Sequence, residues 1–265
     1  MNILRDIEPM IPPDELIEDE EEQTEPESLH GGGAQLIGFY DYTVVLTYAS
    51  LICAFIGIIV ALLGHNPFLA TLFLQFCALF DTFDGKVART KKDRSPAERS
   101  FGIQIDSLSD LVAFCVAPAC ILAAMVSTLA TEETMFRSWP QLGRYNAVQL
   151  VAYAMLCVFI LNGMIRLAYF NVEEMERQQA EGGSRKYYLG LPVTSTGIVI
   201  PMLLLMQRIL PQDLSLFCVG AAFFMGLLFI SPIRVRKPGW IAIAVIFLIS
   251  LATLIGMVKT HAYFL

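Results

Sequence analysis

The chain has 265 residues, 55% of them hydrophobic and only 16% charged, with a mean hydropathy of +0.59 and a formal net charge of −7. Soluble domains run nearer about 45–50% apolar and about 25% charged, so a disordered chain, a nucleic-acid-binding domain and a disulfide-stapled secreted module are poor readings. The apolar residues fall in runs near the roughly 20 needed to cross hydrocarbon, which predicts an all-α, polytopic membrane helical bundle with no nucleic-acid partner.

Residues 1–33 carry 11 acids against Arg5 alone, leaving 14 acids and 17 bases in the rest. The run EDEEEQTEPES repels itself and holds no aromatic residue, so the segment reads as an acidic, disordered tail. MNILRDIEPMIPPDELI has some amphipathic character, which Pro12 and Pro13 interrupt. The start is acidic and polar, so no cleavable signal peptide is expected. Residues 34–265 read as one membrane-embedded domain.

Seven spans are predicted: 41–63, 66–87, 106–130, 148–170, 192–210, 214–231 and 239–259. The fifth is the weakest, because VTSTG near its start is polar, and six spans would also fit. Continuous apolar runs favour helices over the alternating strands of a barrel. The six cysteines (Cys53, Cys77, Cys115, Cys120, Cys157, Cys218) each lie in an apolar stretch without a C-x-x-C pair, so they read as buried small hydrophobes.

Basic residues concentrate in alternate loops: Lys86, Arg89, Lys91, Lys92, Arg94 and Arg99, then Arg177, Arg185 and Lys186, then Arg234, Arg236 and Lys237. The positive-inside rule puts these loops and the N-terminus in the cytoplasm and the C-terminus outside.

The informative stretch runs from Phe80 to Pro118. Asp81 and Asp84 close the second span, about 60° apart around a helix. Asp106 and Asp110 open the third, about 40° apart. A return loop makes the two helices plausible antiparallel neighbours, so four carboxylates can face one cleft at the cytoplasmic face. A carboxylate deep in a span costs about 2.5–3.5 kcal/mol on insertion scales, less near the interface, and four together repel one another. Divalent cations such as Mg²⁺ or Mn²⁺ would remove that penalty. Interfacial carboxylates paired with Lys86 and Arg89 would leave the same pattern. Gly85 and Ala88 share the face of Asp81, and Gly102 lies one turn before Asp106, either to admit a bulky polar ligand or to let helices pack closely. Arg89, Lys91, Lys92 and Arg94 supply positive charge where a phosphate would sit.

Asp81-x-x-Asp84-Gly85-x-x-Ala88-Arg89 followed by Gly102-x-x-x-Asp106-x-x-x-Asp110 resembles the signature of the CDP-alcohol phosphatidyltransferases. Twelve residues separate Arg89 from Gly102 here, a longer loop than is usual in that family. The resemblance implies a six-helix membrane core, often with added helices, acting as a homodimer among membrane lipids. It implies transfer of a phosphatidyl group from a CDP-linked lipid to an alcohol, with release of CMP. Asp81, Asp84, Asp106 and Asp110 would hold two divalent ions, Mn²⁺ or Mg²⁺, and Asp110 would also be the catalytic general base. Gly85, Ala88, Arg89 and Gly102 would line the CDP pocket. Where the family often shows Pro-Asn before a threonine, this chain has Tyr40-Asp41-Tyr42-Thr43, to which no role is assigned.

FGIQIDSLSDLVAFCVAPA from Phe101, NGMIRLAYFN from Asn162 and YYLGLPVTSTG from Tyr187 resemble the branch of that family that takes CDP-diacylglycerol and L-serine as substrates. On that reading Arg166 and Asn171, with Lys92 and Arg94, would face the acceptor or the lipid phosphate. Arg166 could equally be an interfacial arginine reaching toward the headgroups. Gly190, Leu191 and Pro192 read as a turn into the fifth span. Glycerol 3-phosphate is the alternative acceptor. A transporter is the non-enzyme alternative, disfavoured because the acids cluster at one membrane face.

Overall fold

A computed structural model describes residues 38–128, 141–142, 145–179, 187–236, 248, 251–253 and 255–256. The acidic tail at 1–33 and most of the seventh predicted span lie outside them. Among the described residues the bundle has seven helices: α1 (Val45–Leu62), α2 (Pro67–Ala88), α3 (Pro96–Leu111), α4 (Ala117–Thr128), α5 (Ala147–Gln179), α6 (Thr196–Ile209) and α7 (Ser215–Phe229). A π-helical turn, Val112–Val116, fuses α3 and α4 into one rod of 33 residues. Two minimal antiparallel ladders accompany the helices: β1 (Gln141–Leu142) with β2 (Tyr145–Asn146), and β3 (Tyr187–Leu189) with β4 (Arg234–Arg236).

Four of these segments, Val45–Leu62, Pro67–Ala88, Pro96–Thr128 and Ala147–Met175, are long and apolar enough to cross a membrane, and the protein is an integral membrane protein. The fifth and sixth predicted spans form the helices Val193–Ile209 and Ser215–Phe229, shorter than the roughly 20 residues that span hydrocarbon. The third starts at Pro96, ten residues before its apolar window. Local signals open it there: Pro96 takes the first turn, and Ser95 and Glu98 close a reciprocal capping box. α2 starts in the same way, with Pro67 in its first turn and Asn66 accepting from the Leu69 amide at 2.9 Å.

Small residues set the closest helix contacts. α1 turns Thr47, Ser50, Ala54, Gly57 and Ala61 inward at spacings of three and four residues, and this stripe lies along α2. A Cβ on Gly57 would come within 3.2 Å of Phe73 Cβ and 3.3 Å of the Ala70 carbonyl oxygen. On the other side α5 meets α7, where a Cβ on Gly226 would lie 3.0 Å from Phe159 Cα. Phe114, Phe159, Leu74, Ile121, Leu122, Ile200 and Leu204 fill the centre. Large apolar side chains such as Ile52, Phe55, Leu161, Phe217 and Phe224 point outward, as a lipid-facing surface requires. Cys157 joins them on the outside, contrary to the expectation that all six cysteines are buried. Cys77, Cys115 and Cys218 are buried, while Cys53 and Cys120 are half-buried.

The π-turn is braced from three sides. Thr196 Oγ1 lies 2.7 Å from the Phe114 carbonyl oxygen and 2.8 Å from that of Val193, so its one proton serves either. Gly197 admits the Phe114 ring, and Gly163 admits the Cys115 thiol. The turn between β3 and α6 depends on Gly190, at φ +71°, where a Cβ would also run into the Phe229 carbonyl.

Candidate active site

α2 and α3 run antiparallel and bring their acids together. Ligand oxygens of Asp81, Asp84 and Asp106 all lie within 4.8 Å of one another. Opposite ligands of an octahedral Mg²⁺ sit about 4.2 Å apart, at about 2.1 Å from the ion, so the three carboxylates stand close to the spacing that one divalent cation needs. Lys91 of the loop after α2 pairs with Asp41 and Glu98, away from these three acids. Asp110 lies one turn further along α3 and is not part of the group.

A cavity of about 200 Å³ opens beside the cluster. Asp84, Gly85 and Ala88 of α2, with Arg89 at its end, form one wall, and Gly102, Ile103 and Asp106 of α3 form another. Thr43, Val44 and Thr47, at the start of α1, form the third, and Arg94 and Arg99 contribute positive charge. A Cβ on Gly85 would meet nothing nearer than Arg89 Nη1 at 3.8 Å, so its missing side chain leaves free space. A Cβ on Gly102 would lie 3.2 Å from Arg94 Nη2, so that glycine makes room for an arginine of the chain itself. Thr47 Oγ1 stands 3.5 Å from Asp84 Oδ2, a long contact, and Ser109 Oγ donates to the Thr47 carbonyl at 3.1 Å.

Thus Asp84, Gly85, Ala88, Arg89, Arg94, Gly102 and Asp106 share one cavity, and Asp81 adjoins it through the acid cluster. Asn171 of α5 reaches the same neighbourhood: its Oδ1 accepts from Ser107 Oγ at 2.8 Å, one residue from Asp106. Two residues go elsewhere. Lys92 is exposed and does not line the cavity. Arg166 is buried and donates to the Leu189 carbonyl at 2.8 Å, with its guanidinium 5.9 Å from the Phe170 ring centre. It lines a second cavity of about 270 Å³ with Tyr169, Leu189 and Phe229, because five helical residues turn it about 140° away from Asn171.

The sequence reading missed Thr43, Thr47, Arg99 and Ser107. Hydroxyls four residues apart at the end of an apolar span were the available signal for the threonines. It also assigned nothing to Asp41, whose carboxyl is held down to about 2, first by the hydrogen bond from Lys91 and next by Thr43. The Lys91 ammonium is pushed up in return, chiefly by Asp41 and then by Glu98.

A family model described as CDP-alcohol phosphatidyltransferase matches residues 43–228. Three relatives carry the name CDP-diacylglycerol–serine O-phosphatidyltransferase. The Helicobacter pylori J99 protein is 28% identical over 169 residues, 61% of this chain and 59% of the relative. The Saccharomyces cerevisiae protein is 34% identical over 128 residues, 48% of this chain and 38% of the relative. The Bacillus subtilis protein is 29% identical over 159 residues, 60% of this chain and 72% of the relative. The matches thus span little more than half of the first of these relatives and less than half of the second.

Proposed function

This chain belongs to the CDP-alcohol phosphatidyltransferase family, and on that premise we propose that it transfers the phosphatidyl group of CDP-diacylglycerol to L-serine, giving phosphatidylserine and CMP. The observation that carries the reading is the meeting of Asp81, Asp84 and Asp106 within 4.8 Å beside a cavity bearing Arg89, Arg94 and Arg99. Relatives named for serine transfer support the acceptor.

In this reading the three aspartates would hold a divalent ion, Mg²⁺ or Mn²⁺, with Asp110 contributing to a second. Bound there, such ions would supply positive charge to offset a diphosphate and the oxygen that leaves with CMP. Arg89, Arg94 and Arg99 add fixed positive charge at the nucleotide end, and charge-assisted hydrogen bonds from guanidinium to phosphate fix its orientation. Gly85 and Ala88 keep the wall low enough for the substrate to lie against α2. The serine oxygen attacks the phosphorus that carries diacylglycerol, and the bond from that phosphorus to the bridging oxygen of CMP breaks. Asp110 takes the serine hydroxyl proton as the new bond forms, which requires it within hydrogen-bond reach of the bound acceptor. Asn171, tied to Ser107 beside Asp106, offers the acceptor a donor and an acceptor. Arg166 supports the Leu189–Gly190 turn instead of meeting the serine carboxylate. The basic loops support a site at the cytoplasmic face, and membership of the family supports a homodimer as the active form.

The three arginines also favour a second reading, in which the acceptor itself brings a phosphate, as glycerol 3-phosphate does. CMP release from CDP-diacylglycerol is measured with L-serine, glycerol 3-phosphate, myo-inositol and inositol phosphate offered separately. Serine should be the strong acceptor. Preferential use of glycerol 3-phosphate would replace the acceptor assignment and leave the carboxylate cluster and the nucleotide cavity as described.

A further inference from the structure

The stretch Tyr40–Thr43 packs against the long loop between α2 and α3. Asp41 divides its two oxygens: Oδ2 accepts from Lys91 Nζ at 2.7 Å, and Oδ1 accepts from the Thr43 amide at 2.9 Å and from the Thr43 hydroxyl. Lys91 Nζ also reaches Glu98 Oε1 at 2.9 Å, while Glu98 Oε2 takes the Ser95 amide at 2.9 Å. While donating its hydrogen bond to Asp41, the Thr43 hydroxyl accepts one from Arg94 Nη2 at 3.0 Å. A chain of contacts therefore runs from Glu98 through Lys91, Asp41 and Thr43 to Arg94, a residue of the cavity wall.

Stability alone does not explain it. The side chains of Lys91, Asp41 and Glu98 keep 27%, 27% and 21% of their exposure, and pairs so placed contribute little to folding. What the contacts do is fix a place. A free arginine side chain samples many rotamers, yet Arg94 is pinned between Thr43 and Gly102, which has no Cβ to push it away. Its Nε is buried and has no hydrogen-bond partner, a donor that an anionic oxygen in the cavity would satisfy.

We infer that Asp41, Lys91 and Thr43 are positioning residues that hold Arg94 at the nucleotide end of the cavity, so that the segment before α1 and the α2–α3 loop form a clasp over the diphosphate. This rests on the proposed reading of the cavity as the CDP site. Asp41 and Lys91 act through Arg94 and touch no substrate. The loop's extra length has a use here, since it carries Lys91 and Arg94 to the partners they need at the start of α1.

The test is calorimetric binding of CDP, with Mn²⁺ present, to the full chain in detergent, alongside steady-state kinetics. Arg94→Gln should weaken CDP binding about 10- to 100-fold, the range for one charged hydrogen bond. Lys91→Gln, Asp41→Ala and Thr43→Val should each weaken it about 3- to 10-fold, raising KM for the lipid with little change in kcat. Thr43→Ser should restore wild-type affinity. Combining Lys91→Gln with Arg94→Gln should cost no more than Arg94→Gln alone, because both remove one interaction. Independent effects of Lys91→Gln and Arg94→Gln, or wild-type binding by Arg94→Gln, would overturn the clasp. Thermal midpoints check that the variants remain folded. Unchanged CDP binding by both Asp84→Asn and Arg89→Gln is a different result, since it removes the nucleotide reading of the cavity and the clasp falls with it.

Discussion

Gly163→Ala on α5 should disturb the site through the π-turn, and Cys115→Ala should repair the damage. A methyl group at Gly163 would overlap Cys115 Sγ, while Cys115 Cβ stands at an ordinary 3.4 Å and Phe229 Cδ2 at 3.9 Å. One sulfur atom is therefore the whole obstacle. Cys115 is 0% exposed, so the thiol cannot move out into solvent. Relief must come from the π-turn, which begins two residues after Asp110. Forcing one extra carbon into a packed interior costs about 1–3 kcal/mol. Replacing a helical glycine by alanine returns up to about 1 kcal/mol. Gly163→Ala alone should thus lower the thermal midpoint in detergent by several degrees, at about 2–4 °C per kcal/mol for a chain of this size. Turnover should fall with it, because the turn sets the register of α3. Cys115→Ala alone should cost about 1 kcal/mol for the lost sulfur contacts. The double variant should recover both stability and turnover, with a coupling of about 1–3 kcal/mol. Two variants whose effects simply add would refute the idea that the π-turn is wedged against α5 by this sulfur.

Three other outcomes are expected. A chelator should reduce phosphatidyl transfer at least about 100-fold, with recovery on adding Mn²⁺ or Mg²⁺; undiminished turnover in metal-free buffer would remove the cation from the site. Asp84→Asn and Asp106→Asn should lose Mn²⁺ binding and turnover together, while Asp110→Asn should keep CDP-diacylglycerol binding and lose about 100-fold or more in turnover, as for a missing general base; equal loss of lipid binding in all three would deny Asp110 a separate role. The Asp41 carboxyl, lowered to about 2 beside Lys91 and Thr43, with Glu98 sharing the lysine, makes its contribution fully above its unfolded value near 3.8 and loses it only as pH falls through about 2. CDP binding by wild type and Asp41→Ala should therefore follow parallel curves from pH 5 to 8, and curves that converge in that range would contradict the ion pair.

The spans were legible because lipid demands continuous apolar runs, and the carboxylates because acids are rare in such runs. Where hydrophobicity stops, other signals take over. α3 begins at Pro96 on the strength of Ser95, Pro96 and Glu98, all visible in the sequence but outside the apolar window. Asp41 and Lys91 meet across 50 residues, a distance over which no local pattern speaks. Arg166 shows the limit of spacing. Its burial could be expected from its place in an apolar run, but the angle to Asn171 sends it to a different cavity. The π-turn left no sequence mark, since one extra residue per turn is invisible in a run that is apolar on every side.

The fused rod from Pro96 to Thr128 has a consequence for the bilayer around it. Counting back from Thr128, Asp110 lies about 27 Å and Asp106 about 33 Å along the axis. A hydrocarbon layer is about 30 Å thick. With the Thr128 end at one boundary of that layer, the acids come level with the other, where a water-soluble nucleotide and a lipid phosphate can meet. The rod therefore acts as a depth gauge, and acyl-chain length becomes a control on catalysis. In vesicles of defined lipids, turnover should peak where the hydrocarbon matches this distance. Thicker membranes would draw the carboxylates beneath the headgroups, and thinner ones would lift them clear of the substrate they must hold.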